Sequence, residues 1–393
     1  MLSFLKTKGS RNEVSIIKKG DSGLKIAFIG LKGMPPRFGG LQFDAEQIGK
    51  RLVKRGHEVY VYSRKWYSGN NTQHEGMVLI YTPTISSRYM DVFVHSLTSV
   101  LHAIWKDYDI VHFFSFGSYF YIPILRLFGK KTVVTMGGEP WTDITYTSYG
   151  RLLARIAYNI AVWSADVVTS ESLPLKEETE KYFKIPVILT PVGAMDMQRI
   201  VPSLIKEKFG LVEDGYILFL GRMERVKRID LLINAFKEVN SPTLKLVIAG
   251  DTKDVRYKNH LLELAKGNNK IIFTGFVGGR WKEELLSNCL LFVLPSVSEG
   301  MPTAIMEAMS CGKVCLISDI PPHKWLVEDG KTGFLFETGS LSHLVSKMGK
   351  IVELPKELHE KIGGNAKHHV LNNFDWDTTT NTFERIYTQL VKQ

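Results

Sequence analysis

Glu299 and Glu307 stand eight positions apart in SEGMPTAIMEAM, Ser298 to Met309, with small residues, a glycine and a proline between them and no basic group. The stretch follows the apolar run LLFVLP, Leu290 to Pro295. Glu299 is therefore expected in a loop beyond a strand end, and Pro302 suits the first turn of a helix. Thr303 and Glu307 then share one helical face, about one turn apart. The free N–H groups near Thr303 and Ala304 favour an anion such as phosphate. Glu307, one turn further on, can accept hydrogen bonds from a ribose diol. Glu299, on the anion's other side, can hold the hydroxyls of a sugar. Ribose, diphosphate and sugar laid along one helix start describe a nucleotide-sugar. Taken singly, each glutamate could equally be a helix-start residue that complements the macrodipole.

A diphosphate needs counter-charge, and GRMERVKRID supplies it directly after another strand-like run. Arg222 and Lys227 are the candidates, with Arg225 and Arg228 as exposed alternatives. A guanidinium and an ammonium can stabilise a departing diphosphate. With no convincing aspartate pair for a metal, these cations are expected to act as the electrophile, without metal or other cofactor. The glycine pair Gly39-Gly40 precedes a helical stretch and would let backbone approach a ligand closely. Other nucleotide motifs are missing. The first strand runs into GLKGMPPRFGG without a G-x-G, and the second ends in Ser63-Arg64 rather than an acid. This argues against NAD. No G-x-x-x-x-G-K-[ST] is present, which argues against a P-loop ATPase.

These residues must be positioned by strand ends. Short β-rich runs alternate with amphipathic helical stretches: KIAFIG, EVYVYS, IVHFF, TVVTM and DVVTS in the first half, then YILFLG, KLVIAG, KIIFTG, LLFVLP and KVCLIS in the second. Alternation of this kind predicts parallel sheets with helices on both faces. Two such blocks predict two doubly wound α/β domains with a cleft between them. The join is expected near Thr190 to Pro202. This gives a basic extension over 1–23, a first domain over 24–193, a second over 194–372 and a last segment over 373–393.

The length of 393 residues suits two domains. Cys289, Cys311 and Cys315 are an odd set confined to one half and are expected as core thiols in a reducing compartment. No secretory signal core or membrane span is expected; FFSFGSYFYIPILRLF, Phe113 to Phe128, is interrupted by serine, glycine, proline and arginine. The net charge of +10 is uneven: residues 1–195 hold 24 Lys+Arg against 16 Asp+Glu. A basic first half suggests an anionic acceptor or membrane surface. No nucleic-acid reading module is recognisable, so nucleic acid is not expected as a partner. The expected location is cytoplasmic, with peripheral attachment to the inner face of the membrane.

At this point the sequence resembles glycosyltransferase family 4, enzymes of the GT-B fold. The residues that carry the likeness are Glu299 and Glu307, GRMERVK with Arg222 and Lys227, GGLQFDAEQIGKRLVKRGHEV, and TGFLF at Thr332 to Phe336. The resemblance implies two Rossmann-like domains facing a cleft, a donor held mainly by the second, and metal-independent transfer with retention. Arg222 and Lys227 would grip the diphosphate and Glu307 the ribose. Glu299 with the backbone of Gly300, Met301, Pro302 and Thr303 would hold the sugar, and the base would meet the loop near Val277. The last helix would cross back to the first domain. GMPPRFGG is similar to a bacterial subgroup that adds rhamnose or related sugars to surface polysaccharides. The family's usual His-Gly after TVVTM is replaced by Met136-Gly137-Gly138 and EPWTD. Glu139 or Asp143 is therefore expected to contact acceptor or sugar, whereas His57 and His112 are expected to be packed structurally. The expected donor is a UDP-, GDP- or dTDP-sugar, and the acceptor a lipid-linked, glycan or other hydroxyl. Two rival readings are a nucleotide-sugar epimerase of similar fold and a non-catalytic binding protein.

Overall fold

The computed structural model describes residues 23–36, 40–87, 90–138, 148–239, 241 and 243–393. Three expectations fall outside these residues: the extension up to residue 22, the donor contact at Gly39, and the contacts at Glu139 and Asp143.

Every β-rich run named above forms a strand. The first sheet contains β1 (Lys25–Ile29), β2 (Glu58–Ser63), β3 (Gln73–His74), β4 (Met77–Tyr81), β5 (Ile110–Phe113), β6 (Lys131–Met136), β7 (Val167–Ser170) and β8 (Ile188–Leu189). Its order is β3-β4-β2-β1-β5-β6-β7-β8, parallel except for the β3–β4 pair. The second sheet contains β9 (Tyr216–Leu220), β10 (Lys245–Ala249), β11 (Ile271–Gly275), β12 (Leu291–Leu294), β13 (Val314–Ser318) and β14 (Phe334–Phe336). Its order is β11-β10-β9-β12-β13-β14, parallel throughout. Helices on both faces explain why the inner strands read as unbroken apolar runs: all of Tyr216–Leu220 is buried.

Each sheet reverses its direction of growth once, between β1 and β5 in the first and between β9 and β12 in the second. Crevices for ligands open at such points, beyond the carboxyl ends of the strands. The loops after β9 and β12 carry Arg222, Lys227, Glu299 and Gly300. The loop after β1 leads to Gly40.

The terminal helix Trp376–Val391 packs against helix Gly40–Lys54 of the first domain. Asp375 caps it by accepting from the Thr378 N–H at 2.8 Å. Glu384 pairs with Arg55 at 2.7 Å and with the His57 Nε2 at 3.1 Å. His112 is fully buried; its Nδ1 meets the Tyr387 hydroxyl and its Nε2 the Thr135 hydroxyl, both at 2.7 Å. Burial pushes the His112 imidazole down to about 3, so it is neutral at pH 7. Both histidines thus have structural partners. The three cysteines are free, with Cys289 and Cys315 buried and Cys311 partly so.

Tyr387→Phe leaves one His112 ring nitrogen unpaired in the core. We expect a loss of about 1–3 kcal/mol in urea denaturation, whereas Tyr182→Phe at an exposed position leaves stability unchanged.

Candidate active site

The site is assembled by two loops that meet at the switch point of the second sheet. After β9 the chain makes one 3₁₀ turn, Arg225–Lys227, and enters the next helix through Arg228, whose φ of 47° is left-handed. Arg225 and Arg228 are engaged locally, with Asp254 at 3.2 Å and with Asp230 at 3.1 Å. Lys227 points to the other loop. The Val297 N–H donates to the Val226 carbonyl at 2.8 Å, which ties the loop after β12 to this turn.

The Lys227 ammonium bonds the Glu299 Oε1, which also accepts from the Ser296 hydroxyl at 2.6 Å. Both charged side chains are largely buried. Burial is the largest influence on the Glu299 carboxyl and would raise its pKa. Lys227, His323 and the hydrogen bonds from Lys227 and Ser296 outweigh it and hold the group below the usual carboxylate range. His323 is itself fully buried, which pushes its imidazole down to about 4. Its Nδ1 lies 2.8 Å from the Ser318 carbonyl, and its Nε2 has no hydrogen-bond partner among the described residues.

Helix Thr303–Ser310 begins directly after this loop, with Pro302 as its N-cap residue rather than inside its first turn. The Thr303 N–H is not free: it donates to the Met301 carbonyl at 3.0 Å. Ala304 has no backbone partner for its N–H among the described residues, so one of the two expected donors is available. Glu307, one turn on, pairs with the Lys282 ammonium at 2.7 Å. Lys282 lies in helix Gly279–Asn288, which starts two residues after Val277. The two glutamates that look uncompensated in sequence therefore each have a lysine from a different element.

Arg222 sits at the mouth of the site, exposed and paired with Glu224. Two cations that the sequence reading passed over join it there. Partial burial, then the charges of Lys253, Arg222 and Arg64, lower the Lys32 ammonium from its ordinary value. Lys32 belongs to the loop after β1 and Lys253 to the loop after β10, so both domains contribute positive charge at the mouth. Arg64, where a dinucleotide fold would need an acid, is buried and braces that first loop by donating to the Leu31 carbonyl at 2.7 Å.

The first domain approaches closely. A Cβ at Gly300 would lie 2.0 Å from the Gly137 carbonyl oxygen and 3.1 Å from the Gly138 Cα. Only glycine permits this backbone contact. A Cβ at Gly40 would lie 3.8 Å from the Thr303 methyl. Lys227, Glu299, Gly300, Met301, Pro302 and Thr303 are thus gathered in one place, with Gly40 nearby and Glu307 a turn away, while Val277 is tied to them only through the helix that carries Lys282. Two buried acids of the first domain, Asp44 and Glu171, stand behind Gly40 and Gly137. The sequence reading missed them, since they lie in separate elements. Among the described residues, no group of three or more His, Cys, Asp or Glu could hold a metal.

The family model described as "Glycosyltransferase Family 4" matches residues 38–192, and "Glycosyl transferases group 1" matches residues 203–369. The N-acetyl-alpha-D-glucosaminyl L-malate synthase of Bacillus anthracis is 24% identical over 91% of this chain and 96% of its own length. The UDP-Gal:alpha-D-GlcNAc-diphosphoundecaprenol alpha-1,3-galactosyltransferase of Escherichia coli is 25% identical over 95% of this chain and 99% of its own. The structure of Anabaena Alr3699/HepE in complex with UDP and glucose superposes with a TM-score of 0.78 at 19% identity, covering 93% of this chain and all of that one, 100%. The chain belongs to the family 4 glycosyltransferases and has the GT-B fold.

Proposed function

We propose that this glycosyltransferase moves a hexose or deoxyhexose from a UDP-sugar to a hydroxyl of a lipid-linked or glycan acceptor, with retention and without a metal. Sugar transfer in polysaccharide or glycolipid synthesis follows from the family. The observation that carries the finer reading is the helix start at Pro302–Ala304, flanked by the Lys227–Glu299 and Lys282–Glu307 pairs. It offers an N–H and a lysine to a pyrophosphate, one carboxylate to a sugar and another to a ribose. UDP is the favoured nucleotide because the Escherichia coli relative is named for UDP-Gal and the Anabaena structure holds UDP. Neither relative is named for rhamnose, so the likeness of GMPPRFGG does not enter the proposal. Epimerisation and binding without turnover are displaced by the family membership and by the intact lysine and glutamate pairs.

In this reading Lys227 stays on Glu299 until the donor binds. An arriving diphosphate draws the ammonium away, and Glu299 becomes free to accept hydrogen bonds from the sugar. Arg222, Lys32 and Lys253 add positive charge at the mouth. Lys227 and Arg222 stabilise the charge that develops on the departing UDP. The leaving phosphate takes the acceptor's proton on the same face.

The acceptor domain also carries a surface suited to anionic lipid. FFSFGSYFYIPILRLF forms two short helices, Phe116–Tyr119 and Ile122–Leu127, whose Tyr119, Ile122 and Leu125 are buried. Its end is not: Leu127 is 86% exposed and Phe128 is exposed beside it. Trp105 is 85% exposed, and Tyr149, Leu152 and Trp163 are exposed along helix Ser148–Ser164. Arg126 donates to the Ser164 carbonyl at 2.9 Å and Lys130 to the Lys106 carbonyl at 2.5 Å, joining these segments into one face. Aromatic side chains interspersed with cations suit a membrane interface with negative headgroups. Among the described residues no helix is long and apolar enough to cross a membrane.

Two outcomes are expected. In thermal-shift assays against UDP-, GDP- and dTDP-sugars, UDP-sugars raise the melting temperature most. Lys227→Ala abolishes that shift and lowers kcat by about 10²–10³-fold; an undiminished shift in the variant contradicts the assignment. In flotation assays, the protein rises with phosphatidylcholine vesicles only when phosphatidylglycerol is included. Trp105→Glu with Leu127→Glu removes this, and equal flotation of the double variant contradicts the lipid face.

A further inference from the structure

We infer that Asp44 and Glu171 form a hydroxyl-binding pair on the first domain's wall of the cleft, and that the group they hold is a sugar hydroxyl. The inference rests on the sugar-transfer reading above and extends it to the side of the cleft opposite the donor helix.

The two acids come from distant elements. Asp44 lies in helix Gly40–Lys54, and Glu171 directly follows β7. The Glu171 N–H donates to the Met136 carbonyl at 3.2 Å, which sets the residue beside Gly137. A Cβ on Gly137 would lie 2.9 Å from the Glu171 Oε2, while the same residue's carbonyl blocks a Cβ on Gly300. One glycine therefore separates Glu171 from the donor loop. The Asp44 Oδ2 lies 3.6 Å from the Cβ position of Gly40, and the Thr303 methyl lies 3.8 Å from the same position. Both carboxyl groups thus stand close to the backbone that faces Gly300 and Thr303.

Their surroundings are incomplete. Asp44 is 4% exposed and Glu171 7% exposed, and neither is in an ion pair among the described residues. A cavity between the first sheet and the terminal helix is lined by both acids, with Thr135, Thr190 and Trp376. Among the described residues the Asp44 Oδ1 has no hydrogen-bond partner, and neither has the Trp376 indole N–H, although Trp376 is 1% exposed. An orphan acceptor and an orphan donor lining one cavity complement a group that donates and accepts at once. A hydroxyl does both. Burial pushes the Glu171 carboxyl up to about 8, and burial followed by the charges of Glu171 and Glu307 raises Asp44 well above its ordinary range. Both shifts favour the protonated acids. Two acids buried without a cation weaken a fold; a ligand that satisfies them supplies the reason they are present.

The test is calorimetry and kinetics on the full chain, comparing wild type with Asp44→Asn and Glu171→Gln. The probes are UDP, UDP-glucose, UDP-galactose and UDP-N-acetylglucosamine. UDP affinity should stay within about twofold in both variants, and the melting temperature should be at or above that of wild type. If the hydroxyl belongs to the donor, affinity for the UDP-sugar falls at least about tenfold. If it belongs to the acceptor, UDP-sugar affinity and hydrolysis to water stay constant while the transfer rate falls by the same factor. Either result supports the pair. Unchanged donor affinity together with unchanged transfer overturns it and leaves a water-filled cavity. A lower melting temperature with weakened UDP binding also overturns it, in favour of a structural role. Wild-type protein that binds neither UDP nor any UDP-sugar overturns the UDP-donor reading on which the inference rests, which separates the two failures.

Discussion

The ion pair between Lys227 and Glu299 is the constraint on which the site depends. It joins the loops that follow β9 and β12, the two strands at which the second sheet reverses direction. Both side chains are mostly withdrawn from water, so neither can lose its partner freely; removal of one member of such a pair typically destabilises by about 3–5 kcal/mol. Ser296 and His323 reinforce the arrangement from the Glu299 side. The pair ties the two loops together and, in the proposed reading, presents a cation that a pyrophosphate draws from the carboxylate. A second pair, Lys282 with Glu307, repeats the device one helical turn away.

A second constraint is backbone contact between the domains. Gly300 meets Gly137 so closely that no side chain fits at position 300. The family resemblance leads one to expect His-Gly after β6, and this chain has Gly137-Gly138. A Cβ at 137 would lie 2.9 Å from the Glu171 Oε2 and 3.0 Å from a Leu41 methyl, so a side chain there would have to displace the ends of those two. Tyr158, on the helix that carries part of the exposed lipid-suited face, holds the Gly138 carbonyl. The cleft wall and that outer face are therefore connected through one helix.

Much of the fold could be read from the chain because parallel strands buried on both faces are unbroken apolar runs. The short strands β3 and β8, two residues each, carry too little pattern to be seen. MVLIY of β4 and FLF of β14 are also apolar, but they lie at or near sheet edges and lack the strand–helix rhythm of the others. The glutamates of the site were legible from their spacing at a helix start. Lys227 was legible as a cation but not as the partner of Glu299, 72 residues away, and Lys282, 25 residues from Glu307, was not legible at all. Lys32, Lys253, His323, Asp44 and Glu171 were illegible for the same reason: only the folded sheets bring their loops together. His112 shows the reverse case, a tempting site residue whose ring nitrogens are both engaged by hydroxyls of the core.

The most direct measurement is a crystal structure of the protein soaked with a UDP-sugar. The account predicts the pyrophosphate at the start of helix Thr303–Ser310, facing the Ala304 N–H. The Lys227 ammonium should have moved from Glu299 to a phosphate oxygen, and Glu299 should accept from the sugar. A nucleotide bound elsewhere, or a Lys227–Glu299 pair still closed over a vacant helix start, would contradict it.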